Sequence, residues 1–235
     1  MVQAEHMKTE RRSTADLIER FRLMIAGGEI ARGDRLPSER ELALRFGTSR
    51  SSLRHALKVL HSVGIISQRV GDGTYLSKDA SRILEFPLAF LLTLDGISVL
   101  ELFDMRLMIE PEFAAKAAER AHGRSLDAIR NTLSSMLTET AEADAAFHEA
   151  VCTATGNRVC QRMFSAIQHA FRAGMQVTTK LAPPERALEF HKQIYSAIHL
   201  RQPAEARERM IDHLTDAQGV LLAAHLEGKL PKSFH

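Results

Sequence analysis

The sequence predicts a mainly α protein in two parts: helices that end in a short β-hairpin, then an all-α antiparallel helical bundle of about seven helices. Three observations predict this. Apolar residues recur at three- and four-residue spacing along most of the chain, β-prone runs are confined to residues 65–77 around a glycine turn, and breaks such as Gly156-Asn157 and Pro183-Pro184 divide the remainder into helix-length segments. With 235 residues, 45% of them apolar, the chain can bury two modest cores.

Residues 1–12 are polar and are expected to form a disordered lead. A helix then runs from about Ser13 to Gly27, with Leu17, Ile18, Phe21, Met24 and Ile25 on its inner stripe. Gly28 and Gly33 lead to a second helix, with Arg35 and Pro37 just ahead of it. Ser38 followed by Glu41 is a capping box that fixes its start, Leu42, Ala43 and Phe46 share its buried face, and Gly47 ends it. Ser49 caps a third helix that carries Leu53, Ala56, Leu57 and Leu60 inward. Gly64 stops that helix, and Ile65–Val70 and Thr74–Ser77 are two strands around Gly71-Asp72-Gly73. Residues 13–78 therefore read as a winged helix-turn-helix.

The outward side of the third helix presents Arg50, Ser51 and Arg54, hydrogen-bond donors of the kind that guanine edges and phosphates require in the major groove. Arg69 and Gly71 fall where a wing tip approaches the minor groove or the phosphates. Residues 1–80 hold 14 Lys+Arg against 10 Asp+Glu, a balance of +4, which leaves −2 for the rest of a chain whose total is +2. Six arginines between Arg32 and Arg54 carry that excess, which suits a polyanion and equally describes a solvated helix face.

After a linker near residues 78–81, helices are expected at about 81–94, 98–122, 125–141, 142–155, 158–180, 185–201 and 204–227. Ser98 with Glu101 is a further capping box, opening the long helix that carries Arg106 and Glu110. Cys152 and Cys160 form no CxxC pair and read as free thiols of a reducing cytoplasm, with a redox switch as the alternative. The most apolar run, Phe86 to Leu94, is too short to span a bilayer, and the opening MVQAEHMKTERR is not a signal peptide, so a cytoplasmic protein that engages no membrane is expected.

Asp144 and His148 lie four residues apart on one helix, so they share a face. Such a pair either stabilises a helix surface or chelates an ion. His191 and His213 occupy inward positions of two other helices, judged from Ile194, Ile198, Met210 and Leu214 around them. One carboxylate and three imidazoles suit a divalent zinc, nickel, manganese or iron ion; the alternative is that each histidine finds its own hydrogen-bond partner in the core. Arg106 likewise either faces a ligand or pairs with Glu110 one turn away.

Gly33, Leu36-Pro37-Ser38-Glu39, Leu42-Ala43, Ser49-Arg50, Arg54, Ala56-Leu57, Gly64-Ile65-Ile66 and Gly71-Asp72-Gly73 together resemble the winged-helix domain of GntR-family bacterial transcription regulators. The second part resembles the FCD effector domain of that family's FadR branch, through Leu102-Phe103-Asp104-Met105-Arg106 with Glu110-Pro111, Asp144-Ala145-Ala146-Phe147-His148, Gly156-Asn157, His191 and His213-Leu214. The resemblance implies operator contacts from Arg35, Arg40, Ser49, Arg50, Ser51, Ser52, Arg54, Arg69 and Gly71. It implies metal ligation by Asp144, His148, His191 and His213, and an effector site that includes Arg106 and Asn157. It also implies a homodimer, probed by a small carboxylate and acting most often as a repressor, with residues 79–235 forming the effector-binding and dimerisation domain. Val70 stands where some relatives have a polar wing residue. The ion with its carboxylate leaves a charge of +1, to which Arg106 adds, so the pocket is expected to select an anion. Two rivals are a metal-dependent enzyme and a DNA-binding regulator whose ion is purely structural.

Overall fold

In the computed structural model, which describes residues 13–78, 83–137, 140–168 and 182–228, the first helix opens at Ser13. Its hydroxyl accepts the Asp16 N–H at 3.1 Å while the Asp16 carboxylate accepts the Ser13 N–H at 3.1 Å. This reciprocal cap starts α1 (Thr14–Ala26), and the expected stripe buries Leu17, Phe21 and Met24, with Ile18 and Ile25 packed beside them. The lead at residues 1–12 and most of the linker lie outside the described residues.

α2 (Glu39–Phe46) starts at Ser38, whose hydroxyl accepts the Glu41 N–H at 3.2 Å; the return bond from Glu41, expected from the sequence, is not part of this cap. Gly47 closes α2 in the left-handed region at φ 60°, the conformation that favours glycine at this position. α3 (Arg50–Ser62) is capped by Ser49 and buries Leu53, Ala56, Leu57 and Leu60. Phe21 and Phe46 meet edge to face, 5.1 Å between centroids, at the middle of the core these helices share.

The hairpin joins β1 (Ile66–Arg69) to β2 (Gly73–Leu76), antiparallel, with Ile66 opposite Leu76 and Arg69 opposite Gly73. The segment before α2 runs along the outer edge of β2: the Gly33 and Leu36 N–H groups donate to Leu76 and Thr74 at 2.9 and 2.7 Å. Gly73 sits at φ 140°, a backbone conformation that favours glycine, and a β-carbon there would also come within 2.7 Å of Nε of the exposed Arg35 side chain.

The chain divides into two compact units, residues 1–83 and 84–235. The second is helical throughout its described residues: α4 (Glu85–Leu94), α5 (Val99–Arg120), α6 (Gly123–Leu133), α7 (Thr140–Ala154), α8 (158–168), α9 (Pro184–His199) and α10 (Pro203–Leu226). Ser98 and Glu101 form the expected reciprocal cap on α5, and prolines occupy the first turns of α9 and α10, where a missing N–H is harmless. α6 ends at Leu133, eight residues short of the expected boundary. There the hydroxyls of Thr132 and Ser134 bond back to the carbonyls of Ile129 and Asn131 at 2.7 and 2.6 Å, competing with continued helix. The end of the helix expected over 158–180 lies outside the described residues.

α5 packs on α7, α9 and α10 through Ala114, Ala117, Ala118 and Ala121, together with Phe147, Ile194, Ile198, Met210 and Leu214. The alanines let the helix axes approach, and that approach brings the polar side chains of these four helices to one place. Leu53 has no exposed surface in the other core. Leu53→Ala is expected to destabilise the first unit by about 2–5 kcal/mol, read as a lower urea midpoint by circular dichroism.

Candidate metal centre and nucleic-acid interface

Six ionisable side chains are buried together between α5, α7, α9 and α10: Arg106 (3% exposed), Glu110 (1%), Asp144 (7%), His148 (1%), His191 (0%) and His213 (5%). Helical spacing sets two pairs, Arg106 with Glu110 on α5 and Asp144 with His148 on α7. His191 is held flat against Phe147, rings 3.9 Å apart and 7° from parallel, and Phe190 lies 5.6 Å from His213.

The three imidazoles meet through their Nε2 atoms. His213 Nε2 is 3.2 Å from His148 Nε2 and 3.1 Å from His191 Nε2. Asp144 Oδ1 is 3.4 Å from His191 Nε2 and 3.8 Å from His148 Nε2, and all four ligand atoms lie within 4.8 Å of one another. His148 Nδ1 is in direct ion-pair contact with Glu110 Oε2, a carboxylate that favours the imidazole proton on this nitrogen. A neutral imidazole has one N–H, so the His148 Nε2 offers a lone pair, and three converging Nε2 atoms cannot all be satisfied by one another. One carboxylate oxygen and three imidazole nitrogens at these separations fit a divalent cation about 2.0–2.2 Å from each.

Electrostatics follow from this burial. Burial alone would raise the Asp144 carboxyl, but its hydrogen bond to His148 and the charges of His148 and His191 hold it well below the usual carboxylate range. Burial would likewise raise Glu110, but Arg106 and His148 bring it down to about 2. Burial is the largest influence on His148 and lowers it, but the Glu110 and Asp144 carboxylates together outweigh burial, with a net upward shift. His191 is pushed well below its ordinary value by burial and by His213, and His213 falls to about 3 through burial and His148. Cys152 is buried and its thiol is pushed up to about 12, so it stays protonated, the opposite of a reactive cysteine.

Asp144 and His213 also line a cavity of about 50 Å³, with Arg106 beside them and Phe103, Met136 and Phe190 among its apolar walls. Arg106 makes the Glu110 pair, its Nε donating to Oε1 at 2.5 Å, and is also among the residues that line the cavity. Asn157 is not among the residues lining that cavity. Its Oδ1 accepts the N–H groups of Val159 and Cys160 at 3.0 and 3.2 Å, which makes it a helix cap; an asparagine just before a helix carries that signal in the sequence. Arg186, at the mouth beside its partner Asp216, was missed by sequence reasoning, although its place after Pro183-Pro184 marks a first helical turn.

In the first unit Arg40, Ser49, Arg50, Ser51 and Arg54 are exposed at the start of α2 and α3, and Ser52 is half-buried. Ser49 Oγ accepts the Ser52 N–H at 3.1 Å, and Glu39 pairs with Arg54 at 3.0 Å. At the hairpin tip the Arg69 guanidinium stacks 4.2 Å from the Tyr75 ring centroid, Tyr75 donates to Asp72 at 2.8 Å, and Gly71 is exposed at φ 77°. Arg35 is exposed beside the same hairpin, and Val70 is fully exposed at its tip.

A winged helix with exposed arginines, joined in one chain to a helical domain whose largely apolar cavity is edged by buried polar side chains, is the architecture of a DNA-binding regulator with a ligand domain. Residues 14–76 match the bacterial regulatory proteins of the gntR family, and residues 101–216 match the FCD domain. The chain is 31% identical over 210 residues to the HTH-type transcriptional regulator LutR of Bacillus subtilis (strain 168), covering 84% of this chain and 96% of that protein. It is 30% identical over 240 residues to the Glc operon transcriptional activator of Escherichia coli (strain K12), covering 94% of each. Among solved structures, Streptococcus agalactiae GntR superposes with a TM-score of 0.73 at 25% identity, over 88% of this chain and 99% of that one. The protein belongs to the GntR family of bacterial transcription regulators and carries an FCD effector-binding domain. Among the described residues no helix is long and apolar enough to cross a membrane.

His213 titrates near 3 when folded and near its ordinary 6.5 when unfolded, so between those values the unfolded chain binds the extra proton. The stability this group contributes is complete above 6.5 and lost as pH falls towards about 3. Metal-free His213→Asn protein is therefore expected to lose less stability than the native sequence between about pH 7 and about pH 5, measured by urea unfolding at each pH.

Proposed function

We propose that this protein is a homodimeric, sequence-specific transcription regulator of the cytoplasm whose operator affinity is set by a small carboxylate bound at a divalent-metal site in its FCD domain. The observation that carries this reading is the convergence of Asp144 Oδ1 and the Nε2 atoms of His148, His191 and His213 on the edge of a cavity that Arg106 also borders. These four residues would hold zinc, nickel, manganese or iron. When bound, such an ion supplies a Lewis-acidic positive charge to an anionic ligand. Two of the four side chains, Asp144 and His213, line the cavity, and a ligand set open on one side supports sensing over a closed, purely structural ion.

The chain's own residues account for the rest. Arg106 presents a buried guanidinium, the group best matched to a carboxylate. About 50 Å³ holds roughly four waters at roughly 10–15 Å³ each, which suits a compact acid. Binding at a point shared by α5, α7, α9 and α10 favours one packing of those helices over another, and a dimer that reads two half-sites responds to such a shift through their spacing. Repression is the expected sign. A relative named as an activator agrees with the view that the sign lies in where the operator sits relative to the promoter.

The test is operator binding by fluorescence anisotropy at fixed low salt, with metal-loaded and metal-stripped protein, across a panel of two- to six-carbon acids. An active acid is expected to change operator affinity about 5- to 150-fold, and Arg106→Gln to abolish that change while leaving acid-free binding intact. No change with any acid would sink the effector reading. Chelation is expected to remove the acid response before it unfolds the protein; unfolding first would establish the structural ion instead.

For the DNA face, Arg50→Ala is expected to cost about 1–3 kcal/mol of discrimination between operator and mismatched DNA if Arg50 reads a base, and to weaken all sequences equally if it meets a phosphate.

A further inference from the structure

Glu110 is a buried carboxylate that the proposed function leaves without a task. It stands one helical turn after Arg106 on α5, 1% exposed, and its two oxygens are divided between two partners. Oε1 accepts from Arg106 Nε at 2.5 Å, and Oε2 is in direct ion-pair contact with His148 Nδ1. The other ring nitrogen of His148 is the one that points at His213 Nε2, 3.2 Å away, and at Asp144 Oδ1, 3.8 Å away. His191 differs in one respect: its buried Nδ1 has no hydrogen-bond partner, and no ion-pair contact like that of His148 Nδ1 with Glu110 is seen for it among the described residues.

An imidazole has two tautomers, and a carboxylate that takes the Nδ1 proton fixes the lone pair on Nε2 and makes it a better donor to a metal. It also fixes the ring plane. We propose that Glu110 is the positioning residue of this centre, holding His148 with Nε2 towards the metal position while it anchors Arg106 at the cavity. This rests on the metal reading given above. Glu110 is not one of the ligands: its oxygens face Arg106 and His148, and it lies outside the set of four that converges. The arrangement ties the anion-facing guanidinium and one metal ligand to a single carboxylate, so neither can be repositioned without the other.

The experiment uses the full-length protein and competition with a chromophoric chelator for zinc and for nickel. Glu110→Gln keeps the shape but removes the charge, and is expected to weaken metal binding about 10- to 100-fold. Glu112→Gln, on the exposed side of α5 and paired with Arg207, is expected to leave it unchanged. Removing Glu110 strands a buried Arg106, so that variant can fail to fold. The pair Arg106→Met and Arg106→Met/Glu110→Gln removes this complication, and the double variant is expected to bind metal more weakly than the single one by a comparable factor. A second readout does not depend on metal at all. In metal-free protein with 15N-labelled histidine, the His148 Nδ1 proton is expected as a downfield, exchange-protected resonance that is lost in Glu110→Gln.

Metal affinity within about twofold in both comparisons, in a protein that does bind zinc or nickel, would overturn the assignment of Glu110 and leave the metal centre standing. Absence of the protected Nδ1 proton from the native protein would overturn it as well. If the native protein took up neither metal, the metal reading itself would fall, and this inference with it.

Discussion

The bundle depends on holding six ionisable side chains together in a place almost wholly shielded from bulk water. Taking a charge out of water costs several kcal/mol per ion, so such a cluster persists only if each group finds a partner. Here the partners are arranged as a chain: Arg106 on Glu110, Glu110 on His148, and His148 with His191 and His213 around Asp144. No single helix could supply it. The alanine-rich face of α5 matters for this reason, because the close packing it permits is what lets α5, α7, α9 and α10 deliver their polar groups to the same few ångströms.

The first unit follows the opposite rule. Its apolar core, from Leu17 on α1 to Leu76 on β2, carries the fold, and the arginines and serines at the starts of α2 and α3 stand outside it. Their contacts are local: a cap at Ser49, an ion pair from Arg54 to Glu39, a stack of Arg69 on Tyr75. Exposed ion pairs of this kind contribute little to stability, which leaves those side chains available to a polyanion without cost to the core.

Much of this was legible in the sequence, for identifiable reasons. Helix starts at Ser13, Ser38, Ser49 and Ser98 follow from local capping chemistry, and the inward stripes follow from a period of 3.6, so α1, α2, α3 and α5 could be placed within a residue or two. The hairpin was readable because a glycine turn separates two β-prone runs. The end of α6 was not, since the hydroxyls of Thr132 and Ser134 act through backbone bonds that periodicity does not register. In the candidate site, the grouping of Asp144 with His148 was visible as spacing, and inward positions flagged His191 and His213. The link from Glu110 to His148 joins α5 to α7 across 38 positions of chain, and only packing could reveal it. Sequence reasoning also treated a pocket role and a Glu110 pair as alternatives for Arg106, whereas a guanidinium has five N–H donors and accommodates both.

That double role revises the charge of the cavity. With neutral imidazoles, Asp144 and Glu110 carry two negative charges and Arg106 one positive, a balance of −1. A divalent ion brings this to +1, not the +2 obtained when Arg106 is counted without Glu110. In an interior of low effective dielectric the difference is large, because an uncompensated buried charge is what the site can least tolerate. One monocarboxylate restores neutrality; a dicarboxylate overshoots it unless its second group reaches Arg186 at the mouth or water beyond. The preference for a small monoanion that the proposed metal site would have therefore follows from the pairing of Arg106 with Glu110 as much as from the ligands themselves.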